Sequence, residues 1–129
     1  MQDQPTPGEI LAAVARFLRE VVAPETAGHT SFNARVAAGA LEMARRQLDH
    51  APAAEAAEQA RLAALLGVGG DLAELNVELS RRLAAGELDL ATPGLAEHLW
   101  ETTLAKLAVD QPAYWGYRAA LAERGSAPD

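Results

Sequence analysis

The sequence predicts an all-α fold, and three observations predict it. Alanine is the commonest residue, and it is the strongest helix former and a poor strand former. Aromatic side chains, which strands favour, make up only 5% of the chain. Apolar residues also recur at three- and four-residue steps in segments bounded by capping residues, glycine or proline.

Thr6-Pro7-Gly8-Glu9 opens the first helix with an N-cap, a proline at the first helical position and a glutamate at the third, the arrangement of a capping box. Ile10, Leu11, Val14, Phe17, Leu18, Val21 and Val22 give it an apolar face, and Pro24 is expected to end it. Thr30 or Ser31 then caps a second helix with the stripe Phe32, Val36, Ala40, Met43 and Leu48. That helix is expected to stop near His50, ahead of Pro52. A third follows over 53–66, with Leu62, Leu65 and Leu66 as its apolar content and Glu55, Glu58 and Arg61 on an exposed face.

Gly67, Gly69 and Gly70 read as a helix end and loop, since no phosphate-loop lysine or Gly-x-Gly-x-x-Gly spacing accompanies them. Asp71 and Glu74 repeat the capping-box pattern ahead of Leu72, Leu75, Leu79 and Leu83, and Gly86 ends that helix. Thr92-Pro93 is expected to cap a fifth helix carrying Leu95, Leu99, Trp100, Leu104, Leu107 and Val109. A short segment over 114–124 follows Pro112. The expected architecture is a single-domain antiparallel bundle of five main helices plus a short C-terminal helical segment. Residues 1–5 form a flexible N-terminus, 6–124 the helical domain and 125–129 a disordered tail.

Composition narrows the function. No cysteine is present, which excludes disulfides, thiolate chemistry and cysteine-rich zinc sites. The start Met1-Gln2-Asp3-Gln4-Pro5 lacks the positive and apolar regions of a secretory signal, and no apolar run approaches a membrane span. The expectation is a soluble, cytoplasmic protein. A net charge of −7 repels phosphate backbones, so nucleic acid is not an expected partner.

Reactive constellations are missing from the sequence. His29, His50 and His98 stand apart, and no glutamate has a histidine three residues on, as a di-iron helix pair would require. No Gly-x-Ser-x-Gly elbow occurs, and Ser31, Ser80 and Ser126 fit a cap, a helix surface and a tail. No catalytic residue, metal or cofactor is therefore expected. Three features exceed what a plain core needs. Arg35 and Lys106 flank apolar faces, where each either extends its stem along the surface or frames a pocket for an anionic group. Tyr114-Trp115-Gly116-Tyr117 concentrates aromatics that either anchor the last segment or meet a partner. The expected ligand residues are Arg35, Lys106 and Tyr114. The expected interface residues are Ala37, Gly39, Trp115 and Tyr117.

The runs Pro5-Thr6-Pro7-Gly8-Glu9-Ile10-Leu11-Ala12-Ala13-Val14, Phe32-Asn33-Ala34-Arg35-Val36-Ala37-Ala38-Gly39-Ala40-Leu41 and Leu104-Ala105-Lys106-Leu107-Ala108-Val109-Asp110-Gln111-Pro112-Ala113-Tyr114 resemble a family of uncharacterised bacterial proteins. The resemblance extends over nearly the whole chain. Members are small and helical, and their genes often neighbour acyl-CoA dehydrogenases and aminoglycoside-phosphotransferase-like kinases. They often carry asparagine where Gly39 stands here, and an Asn-Pro-Arg-Tyr-like end in place of Gln111-Pro112-Ala113-Tyr114. The resemblance implies an accessory role beside such enzymes. The expected function is a non-catalytic accessory or interaction protein, a homodimer with an acyl-CoA dehydrogenase or phosphotransferase-like partner. The alternative is a binder of acyl-CoA or a phosphate-containing ligand, or a weak enzyme.

Overall fold

In the computed structural model, residues 3–125 are described, and every regular element among them is helical. α1 (Pro7–Phe17) continues through a π-helical turn (Leu18–Val22) into the single turn α2 (Ala23–Glu25). α3 (Gly28–Leu66), α4 (Leu72–Ala84), α5 (Leu95–Asp110) and α6 (Trp115–Gly125) follow. The rest of the expected tail, 126–129, and residues 1 and 2 lie outside the described residues. The chain divides into two compact units between Ala51 and Pro52.

In the first unit the capping box forms as the sequence predicts. The Glu9 amide donates to Thr6 Oγ1 at 3.3 Å, and the Thr6 amide donates to Glu9 Oε2 at 2.7 Å. Pro24 does not end the helix. The Ala23 amide reaches back to the Leu18 carbonyl, the wider spacing of a π turn. Pro24 then occupies the first turn of α2, where its missing N–H costs nothing. The backbone becomes extended only at Thr26. Two carbonyls left over at this end receive hydroxyl donors: Thr26 Oγ1 to Val22 at 2.6 Å, and Ser31 Oγ to Ala23 at 2.7 Å.

α3 corrects a second expectation. It passes through Pro52 without a break, although proline cannot donate to the carbonyl of Leu48 and its ring crowds that turn. The alanines on either side carry the strongest helix preference available, and the backbone stays helical. Which face of α3 is packed also differs from the reading. Ser31, Ala34 and Ala38 are buried, as are Ala15 of α1 and Ala23 of α2. Gly8 lies beside Arg45 and Asp49, where an added Cβ would sit 3.9 Å and 3.8 Å from their side chains.

The second unit is built on leucine. Leu62, Leu66, Leu75, Leu79 and Leu95 form one buried cluster, with Leu65, Leu72 and Leu88 packed against it. Gly67, at φ +66°, adopts the left-handed conformation that closes α3. Asp71 and Glu74 form the second capping box, with the Glu74 amide donating to Asp71 Oδ1 at 2.8 Å. Arg82 joins the end of α3 to α4 by donating to the Leu66 carbonyl at 3.0 Å and to Glu78 at 2.6 Å.

Thr92-Pro93 does not cap α5. Gly94, at φ +86°, is the N-cap, with no side-chain bond. Thr92 Oγ1 accepts from the Asp89 amide at 3.0 Å, and Asp89 accepts from the amides of Ala91 and Thr92. The threonine closes a turn with Asp89, so the helix begins after it.

Replacing Asp71 by alanine removes the capping acceptor of α4 and should destabilise the protein by about 1 kcal/mol. Asp71→Ser should retain most of the stability. Urea denaturation of the two variants beside the wild type measures the difference.

Candidate functional site

Two features stand out from ordinary packing. The first lies in the first unit, where none of the described large apolar side chains is fully buried and several are on the outside. Phe32 is 62% exposed and Val36 54%, and Met43, Gly39 and Ala40 share their helical face and their exposure. At steps of four, three or four, then three or four, these positions form one stripe along α3. A Cβ built on Gly39 meets nothing within 4 Å, so a neighbouring backbone can come close there. On α1 and the π turn, Ile10, Val14, Phe17 and Val21 form a second exposed apolar row. A groove of about 520 Å³ elsewhere in this unit is lined by charges of both signs, among them Arg16, Arg19, Arg45, Glu9 and Glu42. Arg45 is already paired there, with Asp49 at 2.8 Å and Glu42 at 3.3 Å.

The second feature is a set of buried polar side chains in the second unit. His98 of α5 is 2% exposed, and its Nδ1 is buried without a hydrogen-bond partner. The same holds for Thr102 Oγ1, one turn further on, and for Nε of Arg61 on α3. Burial holds the His98 imidazole below the usual histidine range. The Arg61 charge lowers it further, and the Glu58 carboxylate opposes that. Glu58 in turn accepts from Asn76 Nδ2 at 3.1 Å. Arg61 lines a groove of about 270 Å³ with Leu104, Ala105, Tyr117, Leu121 and the ion-paired Glu101 and Arg124. It also lines a second groove with Leu65, Gly94 and Glu97.

These residues were not singled out by the sequence reading. Arg61 and Glu58 were placed on an exposed face, but both are half-buried. On α5 the expected stripe included Leu99 and Trp100, which are exposed, whereas Leu95, His98 and Leu104 are buried. The signal was available in the spacing: Leu95, His98 and Thr102 follow at three and four residues and so share a face.

The expected ligand residues fall elsewhere. Arg35 belongs to the first unit, while Lys106 and Tyr114 belong to the second. All three are exposed, and none of them lines the grooves described above. Of the expected interface residues, Ala37 and Gly39 are exposed and Trp115 is 75% exposed. Tyr117 is half-buried in the wall of the Arg61 groove. The Tyr114 and Trp115 rings lie 5.6 Å apart. A Cβ at Gly116 would come within 2.8 Å of the Tyr114 ring, which explains the glycine in this aromatic run. Among the described residues no three histidine or acidic side chains gather closely enough to hold a metal ion. Nor is any helix among them long and apolar enough to cross a membrane.

The family model for a domain of unknown function, DUF6285, matches residues 24–114. The chain belongs to the DUF6285 family. No curated protein and no solved structure matches it. The DUF6285 region contains the exposed α3 stripe as well as Arg61, His98 and Thr102. The apolar row on α1 and all of α6 lie outside it.

The lowered His98 pKa makes a signed prediction. Below the ordinary histidine value of 6.5 the unfolded chain binds more protons than the folded one. Stability is therefore full above that pH and declines as the pH falls through it. The carboxylates whose values are lowered by arginine or by a cap, such as Glu78 at about 2, act only below 4.5. His98→Leu should remove the loss between about pH 7.5 and about pH 5.5 without lowering stability at the higher pH, because the unpartnered imidazole nitrogen is replaced by an apolar group. Urea denaturation at the two pH values reads both effects, and an unchanged loss in the variant would count against this assignment.

Proposed function

We infer that this DUF6285 protein is a non-catalytic helical interaction protein that forms a homodimer, with the α3 stripe of one copy seated on a second copy. The observation that carries this reading is the inversion of α3, which packs serine and alanine inward and leaves Phe32, Val36 and Met43 in water. A contiguous apolar row of this kind marks a protein–protein contact more often than a free surface.

Charge favours a second copy as the occupant. Residues 1–51 hold six carboxylates against five arginines, so two such units meet with almost no net repulsion. Residues 52–129 hold twelve carboxylates against six cations and carry nearly all of the chain's negative charge. That charge keeps an assembly soluble. Gly39, open on the same face, admits the close approach of a partner helix. In this reading the antiparallel bundle expected from the sequence is completed across the dimer, with α3 as its central element.

Light scattering on a size-exclusion column should give the mass of two chains at micromolar concentration. Phe32→Asp and Val36→Asp should each raise the dimer dissociation constant at least about tenfold while leaving the far-UV circular dichroism unchanged. Val77→Asp, at an exposed position of the second unit, should have no effect on mass. A wild-type monomer over the whole micromolar range would end this reading.

A further inference from the structure

Self-association leaves the buried polar set of the second unit unused. Arg61 stands in the wall of a groove whose other sides are largely apolar, formed by Ala57, Leu104, Ala105 and Leu121, with Tyr117 beside them. Its Nε is buried and unpartnered. Among the described residues no carboxylate is ion-paired with it. Glu58 accepts from Asn76 and Glu101 is ion-paired with Arg124, while Glu97 lies on the second groove that Arg61 also lines. On α5, His98 is buried to 2% exposure with Nδ1 unpartnered, and Thr102 Oγ1 is in the same condition one turn away. A buried donor left without an acceptor is costly, and more so when it is charged. Arg61 itself lines the groove, which has room for an acceptor brought from outside.

We propose that the Arg61 groove binds a small monocarboxylic acid, its carboxylate on the Arg61 guanidinium and its apolar body along Leu104, Ala105 and Leu121. The volume of about 270 Å³ accommodates about ten heavy atoms at the packing density of protein interiors. Charge and wall chemistry select this class over phosphates. A guanidinium matches a carboxylate in a two-point contact. Arg124, the other cation of the groove, is ion-paired with Glu101, and the remaining wall is largely alanine and leucine, which offers few further donors for a phosphate's oxygens. The twelve carboxylates of this part of the chain, Glu101 at the groove among them, oppose a dianion more strongly than a monoanion. The site is independent of the α3 stripe and belongs to each chain singly.

Octanoate, with its eight-carbon chain about the right size for the groove, is the probe. Isothermal titration of the full chain should show one octanoate bound per chain. Octan-1-ol, which lacks the charge, and inorganic phosphate, which lacks the apolar body, should bind at least about tenfold more weakly. Arg61→Gln should weaken octanoate at least about tenfold. Ala105→Phe fills the groove while keeping the guanidinium, and should do the same, so the test stands even where Arg61→Gln fails to fold. Phe32→Asp should bind octanoate as the wild type does, which separates this site from the dimer surface. The proposal is overturned by no octanoate binding at millimolar concentration, by phosphate binding more tightly than octanoate, or by unchanged octanoate affinity in Ala105→Phe or in folded Arg61→Gln.

Discussion

The Ser31 hydroxyl's bond to the Ala23 carbonyl, which joins α3 to the preceding helical segment, is the contact from which the other features of the first unit follow. The residues buried in this unit are all small: Ser31, Ala34 and Ala38 of α3, with Ala15 and Ala23 before them. Small side chains let backbones come near, but they bury little apolar area, and stabilisation follows that area at about 25 cal/mol per Å². The larger apolar groups of α3 are on the other faces of the helix. Phe32, Val36 and Met43 therefore remain an unused source of burial, each contributing about 1 kcal/mol or more when covered. The proposed dimer is the way this unit gains the apolar burial that its internal contact lacks.

The second unit solves the same problem internally. Five leucines from α3, α4 and α5 cover one another, and Arg82 ties the last carbonyl of α3 to Glu78 of α4. Arg81 extends this into a network with Glu78 and Glu87, which draws the Glu78 carboxyl down to about 2. With the core secured by leucine, α5 carries polar groups on its inner face at His98 and Thr102. Such groups weaken packing unless something satisfies them. Their coincidence with Arg61 and an apolar groove is what the proposed carboxylate site rests on.

Much of the fold was legible because it rests on local rules. Both capping boxes, the glycine ends at Gly67 and Gly86 and the leucine face of α4 depend on residues within a turn or two of one another. Proline misled twice. A π turn shifts the register ahead of Pro24, and an alanine-rich helix passes through Pro52. Thr92-Pro93-Gly94 copies the start at Thr6, yet Asp89 captures the threonine, a competition that the tripeptide alone does not reveal. The packed face of α3 was missed for a different reason. Hydrophobic periodicity weights large side chains, whereas the residues buried here are small, with Ser31 held by its bond to the Ala23 carbonyl. The same weighting favoured Leu99 and Trp100 over His98 and so concealed the polar set of the second unit. The family match to DUF6285 places the α3 stripe and Arg61 within one region, and what each does is a matter of their physical surroundings.

Whether Val36 and Met43 of α3 meet their counterparts on a second copy can be read from an isotope-filtered nuclear Overhauser experiment on a mixture of labelled and unlabelled chains, with their methyl groups as reporters. A homodimer built on this stripe should give intermolecular cross-peaks from both residues that vanish on dilution below the dimer dissociation constant. Methyl signals without any intermolecular cross-peak, in a sample whose scattering mass is that of one chain, would contradict it.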